Sequence, residues 1–175
     1  MNILIIGDSF ATKYNGPYLG WAEILEQEHN VTNLAQAGVG EYKILKQLQS
    51  VTASDYDCVI VSHTSPYRIH TLYHPLHKEG LHKNCDFIYE DVRYRLPDVE
   101  KFFTEYFDLD YANYIYRCIY EDITLRLKDC VVIDTEELGI KNLFSKHRGN
   151  VQHLTQEGNT IFYKRIEERL FYANK

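Results

Sequence analysis

The chain is expected to fold as an α/β protein, a three-layer α/β/α sandwich around a central, mostly parallel sheet. Three observations lead there. Short apolar, β-branched runs recur along the chain, and stretches of helical spacing separate them. The first run is also continuous rather than alternating, the mark of a strand covered on both faces. The strand signals are Asn2–Ile6, Val31–Ala35, Asp57–Ser62 and Cys130–Asp134. Between the first two, Trp21, Ile24 and Leu25 mark one face of a helix; Ile44, Leu45 and Leu48 mark a second helix before the third strand. Beyond Pro97, with Asp98 as the expected N-cap, Val99, Phe102, Phe103, Tyr106 and Phe107 recur at helical spacing. Asp110 is the expected cap of a helix carrying Ile115, Cys118, Ile119 and Ile123. A last helix is expected from near Thr155, burying Ile161, Phe162, Ile166 and Leu170.

With 175 residues and 45% hydrophobic composition, the chain is expected to form a single domain over 1–175 with ample material for a core. A net charge of -6 and dispersed Lys and Arg argue against a nucleic-acid partner. Of the four cysteines, Cys58 and Cys130 lie in or beside strand-like runs. No pair has C-x-x-C spacing, so neither a zinc-cysteine site nor a disulfide framework is expected. No run approaches the ~18 apolar residues of a membrane span. The first apolar run is short and broken by Gly7-Asp8, unlike an export signal, so a cytoplasmic, reducing location is expected. No cofactor is expected, and the pattern sets no oligomeric state.

Ser9 follows the first strand directly, in Gly7-Asp8-Ser9-Phe10. In open parallel sheets, ligands bind where strands end and loops begin, so Ser9 stands where a nucleophile is useful. A serine hydroxyl needs a base to take its proton, and His153, just ahead of the last helix, is the candidate. Taken alone, Gly7-Asp8-Ser9 also reads as an ordinary turn, Gly38 as a loop glycine and His153 as a helix-start residue.

Residues 66–97 break the strand–helix rhythm and read as an irregular lid or substrate loop over the same sheet edge. The segment carries His70, His74, His77 and His82. Pro75 spoils a helical presentation of His70 and His74, and apart from Glu79 no nearby acid or cysteine completes a set, so no metal is expected. Arg68 reads as an exposed structural arginine rather than one that steers an anionic substrate. Nine of the fifteen tyrosines fall between Tyr67 and Tyr120, pointing to an aromatic-walled cleft.

Three blocks in order resemble the SGNH/GDSL hydrolases. Gly7-Asp8-Ser9-Phe10 is similar to that family's first block, Asn33-Leu34-Ala35-Gln36-Ala37-Gly38 to its second, and His153-Leu154-Thr155-Gln156-Glu157-Gly158-Asn159 to its last. The resemblance implies a flavodoxin-like sandwich that hydrolyses esters, with Ser9 as nucleophile and His153 as base. Asp8, Gly38, Thr64 and Ser65 would occupy the oxyanion and substrate-binding positions. The backbone N–H groups of Ser9 and Gly38 would serve as donors, and the hydroxyl of Thr64 or Ser65 as a third.

Two positions depart from the family pattern. Ser62-His63-Thr64-Ser65 puts Thr64 where an asparagine is expected, and Asn150 stands where the acid partner of the histidine is expected. An amide can hold a histidine tautomer but cannot stabilise an imidazolium as a carboxylate does. Three readings follow: a Ser–His dyad steadied by Asn150 or a backbone carbonyl, a carboxylate recruited from Asp134, Glu136 or Glu137, or a weakened enzyme. The working dyad is the one adopted. The expected substrate is a small-molecule or carbohydrate ester, a small O-acyl group on a sugar. A silent glycan- or acyl-binding module and an acyltransferase are the competing functions.

Overall fold

The structure, a computed structural model, describes residues 1–13, 16–94, 96–149 and 153–173. Among these residues, four strands, β1 (Asn2–Gly7), β2 (Asn30–Asn33), β3 (Cys58–Ser62) and β4 (Val132–Asp134), pair in parallel in the order β2-β1-β3-β4. Ile3 pairs with Val31 on one side and Cys58 on the other, and Gly7 pairs with Ser62 at the carboxyl edge. The helices are α1 (Trp21–Leu25), α2 (Glu41–Gln49), α3 (Pro97–Lys101), α4 (Leu109–Arg126), α5 (Ile140–Lys146) and α6 (Gln156–Ala173).

The period-2 geometry of the strands sorts the core into two layers. Ile3, Ile5, Cys58, Ile60 and Ile133 face α1, α5 and α6, where Trp21, Leu25, Leu143, Phe162, Ile166 and Leu170 cover them. Leu4, Ile6, Val59 and Val61 face the opposite way, against Ile44, Leu45 and Leu48 of α2 and Ile123 of α4. Burial on both faces is why β1 and β3 are continuous apolar runs. The expected three-layer α/β/α architecture is the one observed.

Details differ where tertiary contacts override local pattern. The aromatic stretch from Val99 to Phe107 is not one helix. α3 gives way to a wide π-type turn over Phe102–Tyr106, and the backbone is extended at Phe107 and Asp108. That extension lets Asp108, rather than Asp110, cap α4, its Oδ1 accepting the Tyr111 N–H at 3.0 Å. Leu96, not Asp98, occupies the N-cap of α3, with Pro97 in the first turn. α5 was not marked by the sequence pattern; it begins after Gly139 in the left-handed conformation.

The order β2-β1-β3-β4 has its topological switch between β1 and β3, the crevice where ligands bind in such sheets. Ser9 follows one of these strands and His63 the other.

Candidate active site

At the end of β1, the Gly7 N–H donates to Gln47 Oε1 (2.8 Å), and the Gly7 carbonyl accepts from Gln47 Nε2 (3.1 Å). A side chain at Gly7 would lie 2.5 Å from Ser62 Cβ, so glycine lets the two strands stay close at this edge. Asp8 then folds the chain into a tight turn. Its carbonyl accepts the Ala11 N–H (3.1 Å) and its Oδ1 the Phe10 N–H (3.0 Å). Ser9 sits on that turn, half-buried, with the Thr12 hydroxyl donating to its carbonyl at 3.0 Å.

Gly38 lies beyond β2 in the left-handed region, φ 76°, and a Cβ there would lie 2.6 Å from Cys85 Cβ. Only glycine meets both conditions. Its carbonyl accepts from the Asp86 N–H (2.8 Å) and from Arg68 Nη1 (3.0 Å), which holds the peptide in one orientation.

His153 is positioned by the block that follows it. Leu154 plugs into the core, and the Thr155 hydroxyl accepts the Gly158 N–H at 3.2 Å in the first turn of α6. Gly158 passes close to His147, where a Cβ would meet the His147 Cβ at 2.8 Å. Buried Asn159 accepts the Trp21 N–H at 3.0 Å and donates to the Thr155 carbonyl at 3.1 Å, locking α6 to α1. Gly149 N–H donates to the His153 carbonyl at 2.6 Å, and the Phe10 and His153 rings stand 5.8 Å apart.

Ser9, Gly38, Asp8 and His153 line one cavity of about 480 Å³, together with Arg68, His77, His82, Cys85 and Asp91. Burial and the neighbouring His82 hold the His153 imidazole below the ordinary histidine range, which favours its neutral form at pH 7. Burial pushes the Cys85 thiol up to about 11 and leaves it protonated, which disfavours cysteine as the nucleophile. Asp8, 4% exposed, has its carboxyl pushed up to about 6 by burial; the Phe10 N–H, the Arg68 charge and the Thr64 hydroxyl work in the opposite direction.

The other described positions that the sequence singled out lie elsewhere. Thr64 is buried behind the wall, its hydroxyl accepting from Arg68 Nε at 3.0 Å and donating to Asp8. Ser65 lines an adjoining groove of about 340 Å³ with Tyr42, Tyr106, Tyr111 and Tyr116, and Arg68 and Asp86 border both spaces. Asp134 accepts the Tyr120 hydroxyl (2.8 Å) and the Glu136 N–H (2.8 Å). It also stands 3.8 Å from Nε2 of His63, whose Nδ1 contacts the buried Glu41 carboxylate. Glu136 pairs with Lys141 and Glu137 with Arg169, so all three acids are engaged outside the cavity. Asn150 lies outside the described residues.

Two residues matter more than the sequence suggested. Arg68 is half-buried, with two charge-assisted bonds into the site, instead of exposed. Asp86 is buried and ties the 66–97 segment to the Gly38 turn. Its Oδ2 accepts the Gly40 N–H (2.6 Å), its Oδ1 accepts the Thr71 N–H (2.9 Å), and Lys43 Nζ lies 2.7 Å from Oδ1. Neither had a local signal, because both act on residues distant in the chain. Among the described residues, no helix is long and apolar enough to cross a membrane.

No family model matches the chain, and no curated protein sequence matches it. Among solved structures, it is similar to the psychrotrophic esterase EstA from Pseudoalteromonas sp., in a crystal structure inhibited by monoethylphosphonate. The identity is 14%, 99% of each chain is covered and the TM-score is 0.50. At that identity the likeness is one of fold, and it extends over nearly the whole of both chains.

Proposed function

We propose that this protein is a serine esterase in which Ser9 is the nucleophile and His153 the general base. The observation that carries the reading is the convergence of Ser9, Gly38 and His153 on one cavity from three distant parts of the chain. Ser9 Oγ attacks the ester carbonyl as His153 takes its proton; His153 then returns that proton to the departing alcohol, and water completes the cycle by the same route. The N–H groups of Ser9 and Gly38 receive the developing oxyanion, with the Arg68 guanidinium beside them as a further source of positive charge. The engaged positions of Asp134, Glu136 and Glu137 favour a dyad over a recruited carboxylate, with Asn150 or a backbone carbonyl steadying the ring.

The whole chain acts as one domain in this reading, and residues 66–97 roof the site. The substrate class is a small O-acyl ester of a carbohydrate. The polar cavity suits a short acyl group, and the adjoining tyrosine-lined groove suits the flat face of a sugar. The fold shared with an esterase that monoethylphosphonate inhibits agrees with the same chemistry.

The test is hydrolysis of p-nitrophenyl acetate against longer acyl esters, with fluorophosphonate labelling alongside. Ser9→Ala should abolish labelling and lower turnover by at least about 10³-fold. Wild-type protein that neither labels nor turns over any ester would refute the enzyme and leave a binding module. Labelling with acyl transfer to an added alcohol in preference to water would make it an acyltransferase.

A further inference from the structure

The histidines of the 66–97 segment lack a completing ligand when read in sequence, and the fold supplies one. Cys85 returns beneath the loop, so that one ligating atom from each of His74, His77 and Cys85 lies within 4.8 Å of the other two. We propose that His74, His77 and Cys85 form a binding site for a divalent transition-metal ion of the zinc type, built into the wall of the cavity that holds Ser9 and His153.

A second observation points the same way. The His74 side chain is 0% exposed, and its Nε2 is buried with no hydrogen-bond partner. The nearest acid, Asp91 Oδ1, is 3.5 Å from Nε2, too far for a good hydrogen bond. On the other side of the ring, Nδ1 accepts the N–H groups of Leu76 and His77 at 3.2 Å each, so the metal-free imidazole carries its proton on Nε2. A buried N–H whose one acceptor is a carboxylate at 3.5 Å is poorly satisfied, and exchanging its proton for a bound cation would make that nitrogen a ligand. Two imidazole nitrogens and a thiolate select zinc and similar borderline ions over calcium or magnesium, with a water completing the fourth position.

Protons balance as follows. Ligation sends the Cys85 thiol proton to solvent. The His74 ring proton leaves Nε2, whose lone pair goes to the metal, and one is taken up at Nδ1, which gives up its two long backbone contacts. Because Cys85 Cβ packs where a side chain on Gly38 would stand, a metal held by Cys85 also stiffens the wall that carries Gly38. The site does not rest on the esterase reading, and failure of either leaves the other standing.

Metal-stripped full-length protein titrated with zinc against a chromophoric chelator should bind one ion per chain. Cobalt in its place should give a thiolate-to-metal charge-transfer band. His77→Ala and Cys85→Ser should weaken binding by about 100-fold or more, while Cys118→Ser, at an exposed thiol, should leave it unchanged. NMR of the His74 ring should move from the Nε2–H to the Nδ1–H tautomer on zinc addition. Absence of stoichiometric binding, absence of the cobalt band, or affinity indifferent to Cys85→Ser would each overturn the site. If the variants fail to fold, the cobalt band and the His74 tautomer of unaltered protein decide it.

Discussion

Asp8→Asn should make the protein more stable relative to wild type as pH rises. The Asp8 carboxyl is buried next to Ser9 in the chain and its pKa is pushed up from 3.8 to about 6, first by burial and further by the nearby Glu41 charge. The Phe10 N–H, the Arg68 charge and the Thr64 hydroxyl recover only part of that cost. A folded-state pKa above the unfolded value means the folded chain holds the proton more tightly. The stability this lends is fully present below pH 3.8 and is lost as pH rises through about 6. The gap corresponds to about 3 kcal/mol. Asparagine keeps the shape and an acceptor for the Phe10 N–H but does not titrate. Whatever fixed cost or gain its amide brings cancels when the two pH values are compared. Urea unfolding of both proteins at about pH 4 and about pH 7.5 should therefore show the variant gaining about 2–3 kcal/mol on wild type between them. A difference flat in pH, or one in which the variant loses ground as pH rises, would refute the reasoning. It would mean that the Arg68 charge, not burial, governs Asp8.

Other outcomes follow from the same geometry. Gly38→Ala forces a left-handed backbone on alanine and drives a Cβ into Cys85. It should lower the melting temperature and cut ester turnover by about 10²-fold or more, through displacement of the Gly38 N–H. Asn159→Ala orphans the buried Trp21 N–H, and chemical denaturation should show a loss of about 1–3 kcal/mol. Because burial and the nearby His82 depress the His153 pKa, the acid limb of the kcat/KM profile should fall below the ordinary histidine value of 6.5; a limb above it would contradict the proposal that His153 is the base.

Much of the fold was legible because its signals are local. A strand buried on both faces must be apolar at every position, so Ile3-Leu4-Ile5-Ile6 and Cys58-Val59-Ile60-Val61 announce themselves. The glycine and aspartate that end β1 mark the turn carrying Ser9. The run from Leu154 to Asn159 similarly encodes its own plug, cap, close approach and tie to α1. Helix ends were less legible, since Asp98, Asp108 and Asp110 are equally good caps by residue type. The choice fell to Asp108 for α4 because the chain must run extended there to leave the aromatic turn.

The wall of the site was decided only by tertiary structure. Nothing near Thr64 in the chain says that its hydroxyl will be shared between Arg68 and Asp8. Nothing near Gly38 says that Arg68 and Asp86 will hold its carbonyl, or that Cys85 will exclude its side chain. Hydrophobic period and turn chemistry report how a residue sits relative to its own neighbours. Hydrogen bonds between segments 30 or 46 residues apart form only after the layers have closed around the sheet, when burial leaves those polar groups no water to turn to.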